Sequence, residues 1–418
     1  MVNERANERA FAVEVVRTLQ QAGHEALWAG GCVRDELLGI PPADYDVATS
    51  ARPDAVQRLF PRTIAVGASF GVVEVLGPRT EAGYLSVQVA TFRSDGPYHD
   101  GRHPESITYS DAREDALRRD FTINGLFYDP IAEQLYDYVG GQADLAARRL
   151  RAIGDPYQRF GEDKLRLLRA ARFAARFELT IEPSTAQAVR DMSDQLVMVS
   201  AERIADELQR LLTHPRRVRG LELLVELKLL GVVFPELTRA GVAVADLARR
   251  LGRLPEPVTF PLALAALLGE LDGQAVQGIC ERLRLSNAQR DRVVWLVAQG
   301  DTLRHARTLP LHVVKPLLAH PGADELLALS QARAEAAGLP TAEVDWCRQR
   351  RADWQAAGTL NPAPLLTGQD LLNCGIKPGP LFKQLLDRVR QAQLDESIHT
   401  STEALALVKQ SLRESPGP

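Results

Sequence analysis

The side chains best placed to do chemistry are Asp44 and Asp46, one residue apart in Asp44-Tyr45-Asp46 and closely preceded by Gly30-Gly31-Cys32-Val33-Arg34-Asp35. Side chains on a strand alternate with a period of two, so both carboxylates are expected on one face. Such a pair can hold Mg²⁺, a hard cation shared between one or two carboxylates and substrate phosphates. The Gly-Gly step lets backbone amides approach a triphosphate closely, and a helix opening there favours an anion at its N-terminus. The chemistry that fits is metal-assisted nucleotidyl transfer.

Elements that alternate between helix and strand must position these groups. Ala6 to Gln21 reads as a helix, 26–29 as a strand, 33–38 as a helix and 45–48 as the strand bearing the acids. A helix is expected over 53–60, with Pro53 in its first turn, and strands over 63–66, 72–76 and 84–92. The polar, Gly- and Pro-containing stretch 93–110 reads as a long loop, the kind that is usually functional or disordered. Beyond about Gly154 strand signals nearly vanish, and helices are expected over 160–177, 201–212, 216–230, 261–268, 287–298 and 323–337.

The 418 residues are too many for one compact core. With 45% hydrophobic and 25% charged residues the composition is that of a soluble globular protein. No apolar run reaches membrane-spanning length and the N-terminus lacks a signal-peptide core, so a cytoplasmic protein without membrane association is expected. Cys32, Cys280, Cys347 and Cys374 lie far apart, without metal-ligand spacing. The net charge of −4 does not announce a nucleic-acid partner, but its distribution does: nine Lys or Arg stand between Arg148 and Arg176 against three acids. No protein partner is evident.

Two further blocks carry recognisable chemistry. In Arg118-Arg119-Asp120-Phe121-Thr122-Ile123-Asn124, Arg119 can bind a triphosphate. Asp120 and Asn124, four apart on one helical face, can meet a ribose hydroxyl. In Glu162-Asp163-Lys164-Leu165-Arg166 and its continuation, Asp163, Arg166, Arg169 and Arg172 fall on roughly one helical face. A surface ion pair is the default reading of Asp163 with Arg166. Ser200 to Ile204 reads as a helix N-cap with an early acid, a structural feature.

The run GGCVRDELLGIPPADYDVAT resembles the signature of the DNA polymerase β nucleotidyltransferase superfamily, in the version carried by class II tRNA nucleotidyltransferases and bacterial poly(A) polymerases. RRDFTIN and EDKLR resemble further blocks of that family, and 366–386 (LTGQDLLNCGIKPGPLFKQLL) resembles the tail of its tRNA enzymes. The resemblance implies an α+β fold: a polymerase-β-like head with a small mixed sheet (1–153), then an all-helical neck (154–215), body (216–340) and tRNA-binding tail (341–418). It implies metal at Asp44 and Asp46, and phosphate at Gly31 and Arg34 with Asp35 as structural partner of Arg34. Nucleotide contacts are expected from Arg119, Asp120, Asn124, Asp163, Arg166, Arg169 and Arg172, with Asp163 and Arg166 reading the base. RNA contacts are expected from Arg176, Lys377 and Lys383.

The implied activity is Mg²⁺-dependent addition of CCA to tRNA from CTP and ATP without a nucleic-acid template. Completion of CC-ended tRNA by A addition is the alternative. A CC-adding enzyme is disfavoured because 93–110 retains a long loop, and a poly(A) polymerase because VGASFGVVEVL lacks a basic block. The His-Asp dipeptide His99-Asp100 lies in the head, so no phosphohydrolase domain of the HD type is expected in the helical part. An inactive RNA-binding homologue is opposed by the intact acids. Family members generally carry a third carboxylate where this chain has Gln88, and Glu74 on the preceding strand is a candidate substitute.

Overall fold

The computed structural model describes residues 2–67, 71–81, 83–96 and 106–414. The chain divides into two compact units, Met1–Pro235 and Glu236–Pro418. The first begins with helix α1 (Val2–Gln21), strand β1 (Ala26–Ala29), helix α2 (Gly31–Leu37), β2 (Asp46–Thr49) and α3 (Pro53–Leu59). Strands β3 (Thr63–Gly67), β4 (Val72–Thr80) and β5 (Gly83–Thr91) follow, then β6 (Arg93–Asp95), β7 (Ile107–Tyr109) and helix α4 (Ala112–Leu117). After a 3₁₀ turn at Thr122–Asn124 come β8 (Leu126–Asp129), β9 (Gln134–Asp137), helix α5 (Gly141–Ala146) and β10 (Arg149–Leu150).

Seven strands form a mixed sheet in the order β3-β4-β5-β2-β1-β8-β9. The β2–β5 pair is parallel and the other neighbours are antiparallel. Strand β1 is buried at every position, as its central place requires. On one side, α1 supplies Ala12, Val15, Val16 and Leu19 to a core with Trp28, Tyr45, Val47, Val73 and Val89.

Helices α6 (Pro156–Glu162), α7 (Leu165–Phe177), α8 (Pro183–Met192), α9 (Ala201–Leu212) and α10 (Arg217–Glu226) complete the first unit, with a short strand β11 (Thr180–Ile181) that pairs with β10. Helix α7 is buried over most of its length and brings Leu167, Leu168, Ala171 and Phe173 into the core. Phe173 meets Phe121 edge-on at 5.9 Å, which docks α7 against the 3₁₀ turn.

Three expectations need correction. The stretch 93–110 is not loop throughout: β6 and β7 pair antiparallel at its base, and residues 97–105 lie outside the described residues. The continuous helix expected over 160–177 is broken at Asp163, whose backbone is extended (φ −143°, ψ 105°) and whose carboxylate accepts the Leu165 amide at 3.0 Å. Side chains that bond the local backbone compete with helix in this way. The RRDFTIN block is not an α-helix either, because α4 ends at Leu117 and Thr122–Asn124 is a single 3₁₀ turn. Strands β8 and β9 went unpredicted: at four residues each, LFYD and QLYD are too short to establish alternation.

The second unit is helical. Its segment Phe260–Leu268 (FPLALAALL) is apolar all round and almost wholly buried, as such a helix must be. Near the C-terminus Leu366, Leu371, Leu385, Val389, Ala404 and Val408 form a separate small core. His312 Nδ1 sits 2.6 Å from Asp395, and the buried Lys315 ammonium donates to Glu396 at 2.7 Å, tying Leu311–Ala319 to the end of Pro380–Leu394. Among the described residues no helix is long and apolar enough to cross a membrane.

Glu207 on α9 is 4% exposed and bonds the buried Arg172, with Arg169 at 3.7 Å. Removing one partner of a buried pair strands the other charge, at a cost of about 3–5 kcal/mol. Glu207→Ala should lower stability by that amount in urea unfolding, and Arg172→Met combined with Glu207→Leu should recover most of it. A single-mutant loss below about 1 kcal/mol, the exposed-pair range, would disprove the pair's importance.

Candidate active site

Tyr45 sets the geometry of the two acids. It is 6% exposed, packs on Trp28 at 4.8 Å between centroids, and its hydroxyl donates to Glu36 at 2.7 Å. With Tyr45 held inward, alternation turns Asp44 and Asp46 the other way. Asp46 opens β2, and Asp44 lies in the extended segment just before it rather than within the strand. Asp44 is exposed and Asp46 half-buried, and no hydrogen-bond partner meets either carboxylate among the described residues. Burial first, then the Asp44 charge, pushes the Asp46 carboxyl up to about 6, opposed by Arg119.

The sheet register answers the question of a third acid. Asp46 pairs with Gln88, and Gln88 with Glu74, so the three stand in one row across β2, β5 and β4. Strands are spaced about 4.8 Å apart, so the Glu74 backbone is roughly 10 Å from that of Asp46, with Gln88 between. Glu74 is thus not a neighbour of the pair. Among the described residues no group of three His, Cys, Asp or Glu side chains forms a metal-binding cluster.

Gly30 ends β1 with φ +71°, and a Cβ there would lie 2.5 Å from Arg119 Nη1. Glycine is therefore required both for the turn and for the approach of Arg119. Arg119 donates through Nε and Nη2 to Asp115 (3.2 and 2.9 Å) and through Nη1 to the Asn124 carbonyl (3.1 Å), above the Phe127 ring. Its side chain remains 20% exposed, while Asp115 is 1% exposed and also binds Arg118. Asp115 escaped the sequence reading, although an acid three and four residues before paired arginines is a helix-spacing signal.

Arg34, expected at phosphate, is instead 4% exposed and occupied. It donates to Asp35 at 2.8 Å and to Asn124 Oδ1 at 2.5 Å, and lies over Phe177 and Phe173. Burial lowers its pKa, and Asp35 offsets part of that cost. These contacts fasten α2 to the 3₁₀ turn and to α7. Gly31 begins α2.

Asp120 and Asn124 do meet, through an Asn124 amide donating at 2.9 Å, though by way of the 3₁₀ turn. The other Asp120 oxygen accepts from Arg169 at 2.8 Å. Burial works to raise the Asp120 pKa, but the Arg169 charge and the Asn124 hydrogen bond outweigh it and hold the carboxyl far below the usual range. Arg172, over the Phe173 ring, faces Glu207.

The expected Asp163–Arg166 pair is not formed. Because α7 starts after Asp163, that carboxylate turns to Arg203 on α9, which donates to both oxygens (3.1 and 2.7 Å). Arg166 donates to Glu162 at 2.6 Å and to the carbonyls of Arg159 and Arg118. Arg203, read as part of a structural cap, is a first contact of the residue expected to read the base, and the chain separation of 40 residues hid it. Arg176 is partly exposed, 3.5 Å from Asp35. Lys377 and Lys383 are exposed in the second unit, on the turn and helix after Gly368–Asn373.

A mixed-sheet head of this topology, with two outward carboxylates unpartnered among the described residues beside an arginine-backed glycine turn, defines a nucleotidyltransferase. Residues 26–151 match the family described as the poly A polymerase head domain, and 178–240 the probable RNA and SrmB-binding site of polymerase A. The CCA-adding enzyme of Lacticaseibacillus paracasei is 34% identical, covering 91% of this chain and 90% of that one. That of Geobacillus stearothermophilus is 31% identical over 94% and 95%. The crystal structure of the Bacillus stearothermophilus CCA-adding enzyme in complex with CTP aligns with a TM-score of 0.78 at 27% identity, covering 96% and 97%. The chain belongs to the CCA-adding enzyme family.

The raised Asp46 value has a consequence for stability. A carboxyl whose native value is about 6, above the ordinary 3.8, weakens the fold as pH rises between those values and does so fully above 6. In metal-free buffer Asp46→Asn should therefore raise Tm above about pH 6, with the gain shrinking as pH falls toward 4. A pH-independent change in Tm would rule out the titration as its cause.

Proposed function

We propose that this chain adds CCA, or whichever part of it is missing, to the 3′ end of tRNA from CTP and ATP. The observation that carries this reading is the outward pair Asp44 and Asp46, accepting no hydrogen bond from the described residues and faced by Arg119, in a chain alignable almost end to end with CCA-adding enzymes. The donor set fits a hard divalent cation: two carboxylates, mutually repelling, one half-buried, with no cation paired to them among the described residues. Asp44 and Asp46 would hold Mg²⁺, which supplies charge neutralisation for the attacking hydroxyl and the departing pyrophosphate.

The chain's own residues supply position. Arg119, braced by Asp115 and seated against Gly30, presents its remaining exposed edge to the triphosphate. Asp120 and Asn124 fix the floor beside it. Asp163 and Arg166 select the base. A carboxylate offers about four acceptor sites, and the Asp163 bonds to Arg203 and to the Leu165 amide use three. One remains for an exocyclic amine, which cytosine and adenine have and uracil lacks. Guanine places a carbonyl oxygen at that edge and is repelled with uracil.

Two measurements test this. Transcripts ending at the discriminator, at C and at CC should each be extended to CCA when CTP and ATP are both present, with ATP alone sufficient only for the CC end, and Asp44→Ala with Asp46→Ala should abolish extension while tRNA binding persists. Extension of the CC-ended transcript alone would convert the assignment to an A-adding enzyme, and untemplated runs of A would make it a poly(A) polymerase. Asp163→Ala should relax discrimination against UTP and GTP by at least about tenfold. Unchanged selectivity would leave Asp163 as a structural break between α6 and α7.

A further inference from the structure

In the second unit a cavity of about 640 Å³ is lined by Arg249, Arg250, Arg304 and Arg333 together with the carboxylates of Asp246, Glu270 and Asp301. The arginines arrive from helix Val244–Gly252, the 3₁₀ segment Thr302–Thr308 and helix Ala323–Ala336. The side chains of Arg250 and Arg333 are 7% and 9% exposed, whereas their acid partners Glu270 and Asp301 are 57% and 68% exposed. A buried guanidinium leaning on a solvated carboxylate is poorly compensated, because the screened pair returns little of the desolvation cost.

The hydrogen bonding shows the same shortfall. Arg250 Nη1 lies 3.0 Å from Glu270 Oε1 without the alignment of a hydrogen bond, and Arg333 Nε meets no acceptor. Arg333 is nevertheless firmly seated: Nη2 donates to the Gly269 carbonyl at 3.0 Å. A Cβ on Gly269 or on Gly300 would stand 2.0 or 2.4 Å from its guanidinium. The backbone thus makes room for a cation that its neighbours do not satisfy. Burial, with the adjacent Arg250 charge, pulls the Arg333 pKa below its usual value despite Asp301.

We propose that this cavity is a binding site for a phosphate-class oxyanion, with Arg250 and Arg333 as its floor. Arg250 Nη1 and Arg333 Nε are buried while Glu270 and Asp301 are in place, and a tetrahedral oxyanion that displaced those carboxylates would supply acceptors to the two guanidinium forks, which pair with such groups bidentately. Arg249 and Arg304, 59% and 47% exposed at the rim and paired there with Asp246 and Asp301, add charge when those exposed pairs open. Glu270 and Asp301 can swing into water at little cost, since exposed pairs are weak. The same oxygens are offered by free inorganic phosphate and by an RNA phosphodiester.

The test uses the full chain in metal-free buffer, with Tm followed against inorganic phosphate and a chloride control of matched ionic strength. Phosphate should raise Tm of the unaltered protein. Apparent affinity should fall by roughly fivefold or more in Arg250→Met and rise by roughly threefold in Asp301→Asn, which removes the competing carboxylate. A tighter variant cannot be mistaken for one that fails to fold. Identical phosphate responses in all three proteins, the mark of binding elsewhere, would overturn the proposal. Affinity for a tRNA transcript in the same proteins distinguishes the source: tightening in Asp301→Asn with competition by phosphate assigns the site to an RNA phosphodiester, and unchanged tRNA affinity assigns it to free phosphate.

Discussion

Burying an arginine is expensive unless both its charge and its planar set of donors are met, and the first unit does this repeatedly along one helix. Arg166 and Arg172 on α7 are 9% and 5% exposed, and Arg34 on α2 is 4% exposed. Arg166 is met by Glu162 across the break before α7, Arg172 by Glu207 on α9, and Arg34 by its neighbour Asp35 on α2 and by Asn124 on the 3₁₀ turn. The rings of Phe173 and Phe177 fill the spaces between, with Arg34, Arg169, Arg172 and Arg176 lying over one or both. Such pairs add little net stability over a hydrophobic equivalent, but a misregistered α7 would leave several buried charges unmet at once. The penalty for error is what holds the helix in one position against the head.

The paired acids are arranged on the opposite principle. Where every arginine of α7 is matched, Asp44 and Asp46 repel each other and accept no hydrogen bonds among the described residues. The fold tolerates this because Tyr45 between them is packed and hydrogen-bonded, so inward burial of one residue sustains outward exposure of two. Electrostatic discomfort of this sort is common where a site awaits a ligand. The surrounding network supplies the rigidity that the site itself forgoes.

What could be read from the chain beforehand was whatever depends on neighbours in sequence. Alternation about Tyr45, the glycine turn, and most helices in the second half all follow local rules, and the structure has them. What depended on distant partners was hidden. Nothing near Arg34 says that Asn124, 90 residues away, will take one of its donors. Nothing near Asp163 says that Arg203 will claim it. The break at Asp163 was local in cause, a carboxylate accepting the backbone amide two residues on, but the helical periodicity of 160–177 masked it. Sheet register was equally inaccessible: Gln88 and Glu74 could be named, yet only pairing shows that they form a row with Asp46 and that the glutamate is two strands away.

On the proposed reading, the tethering of Asp163 and Arg166 bears directly on how a protein can choose a base without a template. Cytosine and adenine both carry an amine beside a ring-nitrogen acceptor, so one carboxylate and one guanidinium at fixed positions can accept either. A wrong base is rejected because it leaves a buried polar group unmet, and that penalty lasts only while the group cannot turn away to another partner. Asp163 is prevented from turning by Arg203 and the Leu165 amide, and Arg166 by Glu162 and two backbone carbonyls. Selectivity is then a property of the restraint as much as of the two side chains. A looser Asp163 would still bind cytosine and adenine, but it would no longer exclude the others.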